Sequence, residues 1–209
     1  MSNAPGKFVV VEGTEGVGKS TAMHHIEALL QQHGIDVQLT REPGGTPLAE
    51  EIRNALLRPR DEVVEPMAEL LLMFAARAQH VAGLIRPTLA RGSWVLSDRF
   101  VDSSFAYQGG GRGLMLPVNA LTDLVLDGFA PDLTLVLDVP VSVGLKRARG
   151  DMQGDRIERE ETDFFERARN TFLERAAQMP HRYAVIDAIG SLPVVRQRIT
   201  EAMETLLND

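Results

Sequence analysis

The chain has 209 residues, 44% hydrophobic and 24% charged, with no cysteine and a net charge of −7. That size and balance fit one folded α/β domain with a small excursion, and they argue against disorder. The acidic balance argues against a nucleic-acid partner, and the missing thiols exclude disulfides and cysteine chemistry.

The elements alternate. Lys7–Glu12 is a short β-branched run that predicts a strand ending at Gly13. A helix is predicted from Lys19 to His33, closed by Gly34, and a second strand over Asp36–Thr40. Thr46–Leu57 and Met67–Ala90 read as helices, with Gly92 ending the second, and Ser93–Ser97 as a third strand. Pro117–Phe129 is predicted helical, with its proline at the start. Leu133–Leu137 is a fourth strand, followed by helices over Val141–Arg149 and Phe164–Gln178. Tyr183–Ile186 and Leu192–Leu207 complete the pattern as a strand and a helix. Continuous apolar strands separated by helices predict a parallel sheet covered on both faces. Lys146–Arg159 breaks the pattern with five basic residues, three acidic residues and two glycines, and is expected to leave the core. No stretch reads as the ~18 apolar residues of a spanning helix, and the N-terminus has no signal pattern. The expectation is a soluble, cytoplasmic protein with no membrane partner.

Gly13-Thr14-Glu15-Gly16-Val17-Gly18-Lys19-Ser20 matches G-x-x-x-x-G-K-[ST], between a predicted strand and a predicted helix. The glycines let backbone N–H groups approach phosphate oxygens, and the following helix points its positive end at them. Lys19 can reach the β- and γ-phosphates, Ser20 can ligate Mg²⁺, and the donor site is expected to extend to Thr21.

Such a loop serves switches as well as phosphotransferases. A guanine switch usually carries N-K-x-D, which is absent. Asp187-Ala188-Ile189-Gly190 matches D-x-x-G only after the last strand, where a plain turn is the simpler reading. Asp98-Arg99-Phe100 follows the third strand, where strand ends form the ligand crevice of such sheets. Asp98 there can hold Mg²⁺ through water, and Arg99 can clamp an acceptor phosphate; a surface ion pair is the alternative. Arg41 precedes a Pro43-Gly44-Gly45 turn and is a further candidate for that phosphate, or else an exposed arginine. His24 and His25 lack metal-ligand spacing and read as surface or packing residues.

At this point the residues resemble the bacterial thymidylate kinases over nearly the whole length. The likeness is carried by the phosphate loop, REPGGT at 41–46, AARAQ at 75–79, DRF at 98–100, AYQGGGRG at 106–113, PDLTLVLD at 131–138 and DRIE at 155–158. The resemblance implies a P-loop NTPase fold with a five-stranded parallel sheet flanked by helices, one domain over 1–209, a mobile lid at about 146–159, and a homodimer. It implies transfer of the γ-phosphoryl of ATP to dTMP; a kinase for another monophosphate, or a nucleotide-gated binding protein, are the alternatives. By resemblance, Glu15 is expected near the sugar 3′-hydroxyl, Arg99 and Arg41 on the acceptor phosphate, and Arg77 on a thymine carbonyl. Ser104 and Gln108 fall at the base edge, and Tyr107 crowds the sugar 2′ position. One branch of the family has an arginine in the loop where this chain has Gly16. Arg147, Arg149 and Arg156 match the other branch, in which lid arginines supply that charge; a solvated helix end is the alternative. An aromatic usually precedes the base-reading arginine by four residues. Here Met73 holds that position and Phe74 follows it, so either can meet the base.

Overall fold

The computed structural model describes residues 5–148, 157 and 160–208. Five parallel strands, β1 (Phe8–Glu12), β2 (Val37–Arg41), β3 (Trp94–Asp98), β4 (Leu133–Asp138) and β5 (Tyr183–Asp187), lie in the order β2-β3-β1-β4-β5. β1 is central and wholly buried, and its Val11 pairs with Asp98 on one side and Leu135 on the other. The strands start and stop within a residue or two of expectation; β1, β3 and β4 are continuous buried runs, while the edge strands β2 and β5 are only partly buried.

One face carries α1 (Lys19–Gln32) and α9 (Leu192–Leu207), whose Ile26, Leu30, Ile199 and Met203 pack on Val9, Val11, Leu96 and Leu135. The other face carries α2 (Pro47–Leu57), α3 (Pro66–His80), α4 (Arg86–Ala90), α5 (Val101–Ser104), α6 (Met115–Leu126), α7 (Val141–Ala148) and α8 (Thr162–Gln178). Thr46 caps α2 through its side chain, and Pro47 stands at the helix start.

Three expectations change, and one stretch without an assignment gains structure. The long run Pro66–Ala90 is helical, but a π-turn at Val81–Ile85 interrupts it just before Pro87, which cannot donate to the preceding turn. That run is also long and apolar enough to span a membrane, with an 18-residue window of mean hydropathy 1.2, contrary to the sequence reading. Half of the window is buried in the protein and it contains Glu69 and Arg77, as in a core helix. Pro117 does not start α6. It is the third residue, still among the first four whose N–H groups have no helical partner, and Asp127 in left-handed backbone ends the helix before Phe129. Residues 101–111, to which the sequence pattern assigns no element, form α5 and a second π-turn, Phe105–Gly111. A Cβ at Gly110 or Gly111 would overlap Thr171 or Phe164 of α8, so the glycines permit close packing.

Candidate active site

The C-terminal ends of β1, β2 and β3 open into a cavity of about 510 Å³. Its floor is the phosphate loop. Gly13, Gly16 and Gly18 have φ of 137°, 69° and 97°, and Gly18 precedes α1 with no side chain capping the first turn. The amides of that turn are open to an anion. Gly13 and Thr14 turn their carbonyls to Lys19, whose Nζ donates to both at 3.1 and 2.9 Å. Val17 is buried in the core, while Glu15, Gly16, Gly18, Lys19, Ser20 and Thr21 line the cavity.

Arg99 stands over the loop. Its φ of 71° is unusual for a residue with a side chain and costs roughly 1–2 kcal/mol. The guanidinium donates to Gly13 O at 3.0 Å, to Ser103 Oγ at 3.1 Å and to Glu15 Oε1 at 2.6 Å. Tyr107 OH donates to the same Glu15 oxygen at 3.1 Å. Burial pushes the Glu15 carboxyl up, but Arg99 and Lys19 outweigh it and hold it below its usual value. Burial, then Arg99, depress Lys19.

Behind Arg99 lies a group the sequence reading missed. Glu12 is fully buried; its Oε1 accepts from the N–H groups of Phe100 (2.8 Å) and Ser103 (3.1 Å), and its Oε2 from Ser103 Oγ (2.7 Å). Burial, with Asp102 adding to it, raises its pKa to about 7.

The far wall is built on Arg77, 2% exposed. It donates from Nε to Glu42 Oε2 at 2.8 Å, from Nη1 to Ser104 Oγ at 3.1 Å and from Nη2 to Phe100 O at 3.0 Å. Glu42 also meets His80 Nδ1 at 3.0 Å, and His80 Nε2 meets Thr40 Oγ1 at 2.7 Å. Met73, Ser104, Tyr107 and Gln108 join Arg77 in the lining. Phe74 does not: one position along a helix turns a side chain by ~100°, and Phe74 lies in the core beneath the Arg77 guanidinium, 4.6 Å from its ring centroid. Met73 is therefore the residue of the pair that meets the cavity.

Arg41 and Pro43 line the near wall, where Arg41 pairs with Glu50 at 3.0 Å. Arg53 was missed; it donates to Pro43 O at 2.8 Å and lines the same wall. On α2 it reads as an ordinary exposed charge. Asp98 reaches the cavity, and its Oδ1 is buried without a hydrogen-bond partner among the described residues. Ser20 lines the same cavity, so an orphaned carboxylate oxygen and a hydroxyl are available to a hard cation. No cluster of three or more His, Cys, Asp or Glu that could hold a metal ion occurs among the described residues.

α7 packs its Gly144 onto the phosphate loop. A Cβ at Gly16 would overlap Gly144 O, and a Cβ at Gly144 would lie 2.5 Å from Glu15 O. Arg147, one turn on, lines both the main cavity and a second one of about 220 Å³ with Val17, Thr21, Leu137, Ala188 and Leu192. Arg149 and Arg156, and most of the expected lid, lie outside the described residues.

A phosphate loop on a parallel sheet, facing a chamber of arginines and polar groups suited to a second ligand, defines a nucleotide-dependent phosphotransferase of the P-loop class. The family model described as thymidylate kinase matches residues 11–199. The chain belongs to the thymidylate kinase family. Among curated relatives, it is 54% identical to the thymidylate kinase of Pseudomonas putida (strain GB-1) over 195 residues, 93% of each chain. It is also 54% identical to that of Pseudomonas fluorescens (strain Pf0-1) over 203 residues, 97% of each. Its fold matches the crystal structure of thymidylate kinase from Ehrlichia chaffeensis with a TM-score of 0.77 at 34% identity, over 96% of this chain and 99% of that one.

Proposed function

We infer that the chain transfers the γ-phosphoryl of ATP to dTMP, giving ADP and dTDP on the route to dTTP. The observation that carries this is the junction at Glu15. Phosphate loop and acceptor chamber meet there, with Lys19, Arg99 and Tyr107 all converging on one carboxylate. A phosphate monoester is largely ionised near neutral pH, so its oxygen can attack the γ-phosphorus in line without a strong base. Catalysis then rests on positioning and on neutralising charge.

In this reading Gly13 to Thr21 cradle the donor phosphates, and Lys19 neutralises the transferring group. The second cavity beside Arg147 takes the adenine. Arg99 and Arg41 hold the acceptor phosphate, and Glu15 accepts from the sugar 3′-hydroxyl. The Tyr107 ring, stacked 5.9 Å from Phe164, crowds the 2′ position. Arg77, Ser104 and Gln108 meet the base edge while Met73 packs on its face. Ser20 and Asp98 hold Mg²⁺, which supplies charge neutralisation at the phosphates when bound. Arg149 and Arg156 complete a lid over the donor, supported by a loop that has no arginine at Gly16.

The enzyme acts in the cytoplasm as a homodimer. The dimer is supported by exposed Met67, Leu71 and Leu72 on α3 beside exposed Leu116 and Leu124 on α6. Coupled assays with ATP and a panel of nucleoside monophosphates test the reaction, dTMP being expected to give the highest kcat/KM. Turnover of another monophosphate at equal or higher efficiency, or none at all, refutes it. Sedimentation analysis tests the dimer, and a monomer at micromolar concentration refutes it.

A further inference from the structure

Gln108 sits in the π-turn Phe105–Gly111, whose glycines press against α8, so its backbone is held from behind. Its side chain is 1% exposed and its Nε2 donates to Glu69 Oε1 at 2.8 Å. Glu69, in the first turn of α3, is equally buried. Arg112 approaches both its oxygens, at 3.4 and 3.3 Å, and bridges to Glu160 at 2.7 Å. The Glu69 oxygens thus accept from the Gln108 amide nitrogen and from the Arg112 guanidinium. The amide of Gln108 must therefore turn its NH₂ to Glu69. Its Oε1 has no protein partner among the described residues and is the group Gln108 can offer to the cavity it lines.

Across the same wall, Arg77 commits three of its five N–H groups to Glu42, Ser104 and Phe100, leaving two donors. The wall thus presents donors at Arg77 and an acceptor at Gln108. A pyrimidine with a 4-carbonyl and an N3–H matches both. One with a 4-amino group and a bare N3 mismatches both, leaving buried groups unpaired.

We propose that Glu69 is a positioning residue for base selection: by taking the amide NH₂ of Gln108, it fixes the amide oxygen as the acceptor for N3–H and so selects against 4-amino pyrimidines. This rests on the reading of the cavity as the dTMP chamber. Glu69 touches no substrate in this scheme; it acts only through Gln108.

The test is kcat/KM for dTMP and dCMP with wild type, Glu69→Gln, Gln108→Ala and the double variant. Glu69→Gln is isosteric and lets the paired amides flip together. It should lower the dTMP:dCMP ratio by about tenfold, mostly through a higher KM for dTMP, since the net worth of one hydrogen bond is of about that order. In the Gln108→Ala background the same change should leave the ratio unaltered. A simple staple between α3 and the π-turn would instead lower both efficiencies together at constant ratio, and that result overturns the proposal. So does an equal ratio shift with Gln108 absent. Should Glu69→Gln fail to fold, Arg112→Met removes the cation that holds Glu69 and should lower the same ratio; an unchanged ratio there overturns the proposal too. Wild type without dTMP turnover would refute the functional reading itself, a distinct outcome.

Discussion

The contact between Gly16 and Gly144 makes a quantitative prediction about the phosphate loop. Gly16→Ala meets two penalties. The first is the positive φ of 69°, which disfavours any side chain by about 1 kcal/mol. The second is overlap of the new Cβ with the Gly144 carbonyl, a backbone atom that no rotamer change can move. Overpacking of this kind costs roughly 1–3 kcal/mol, so the total is about 2–4 kcal/mol. Gly34→Ala is the control: its φ of 71° is nearly the same, and its Cβ would meet nothing within 4 Å, so it should lose only about 1 kcal/mol. Gly144→Ala gives the reciprocal. A helix gains about 1 kcal/mol from Gly to Ala, yet a Cβ 2.5 Å from Glu15 O should reverse the sign and make this variant less stable. Urea unfolding of the three variants measures these terms. Steady-state kinetics should show kcat/KM for ATP reduced about 10²-fold in Gly16→Ala, because a shift of about 1 Å in a positioning element costs that much, and unchanged in Gly34→Ala. Gly16→Arg should be no better than Gly16→Ala, since α7 occupies the position its Cβ needs. If Gly16→Ala is no less stable than Gly34→Ala and keeps its kinetics, the packing of α7 on the loop is not what shapes it.

Met73→Ala should raise KM for dTMP by about tenfold, while Phe74→Leu should lower stability by about 1 kcal/mol and leave KM within about twofold; the reverse pattern in kinetics and melting would show that the base packs on Phe74. Arg149→Ala or Arg156→Ala should lower kcat by roughly 10²–10⁵, the range for a transition-state arginine, and near-normal kcat in the double variant would leave the basic segment as a solvated helix end. Glu12 makes stability depend on pH. Its folded pKa is raised to about 7, so between about pH 4.5 and 7 the folded chain holds a proton that the unfolded chain has released, and stability falls as pH rises through that window. Relative to wild type, Glu12→Gln should therefore gain stability between pH 5 and pH 8 in urea titrations; a constant difference refutes the burial argument.

Much of the frame was legible because its signals are local. Val9, Val10 and Val11 can only be a buried strand when they precede a glycine-rich loop, and Gly13 to Ser20 carry their spacing on their face. The ends of β1, β3 and β4 followed from continuous apolar runs. The π-turns were not legible, because they depend on partners far along the chain. In residues 105–111, Gly110 and Gly111 pack against Thr171 and Phe164 of α8, contacts that no local pattern announces. The interruption at 81–85 follows from how Pro87 is accommodated in an otherwise regular periodicity.

The cavity residues divide in the same way. Three of the arginines that line the chamber stand in the short stretches that carry the family resemblance, REPGGT, AARAQ and DRF, so Arg41, Arg77 and Arg99 could be singled out from sequence, whereas Arg53 could not. The carboxylates that hold two of the chamber's reading groups could not. Glu42 and Glu69 sit in helical or loop contexts where a glutamate is usually solvated, and only the tertiary fold reveals that each is at most 4% exposed. A buried carboxylate persists only with partners, and here those partners are the side chains expected to read substrate: Arg77 for Glu42, Gln108 for Glu69. Glu12 serves the backbone from which Arg99 projects. Each of three groups expected to face substrate is thus held by a buried acid behind it. Aim, more than residue identity, is what three-dimensional structure adds to this sequence.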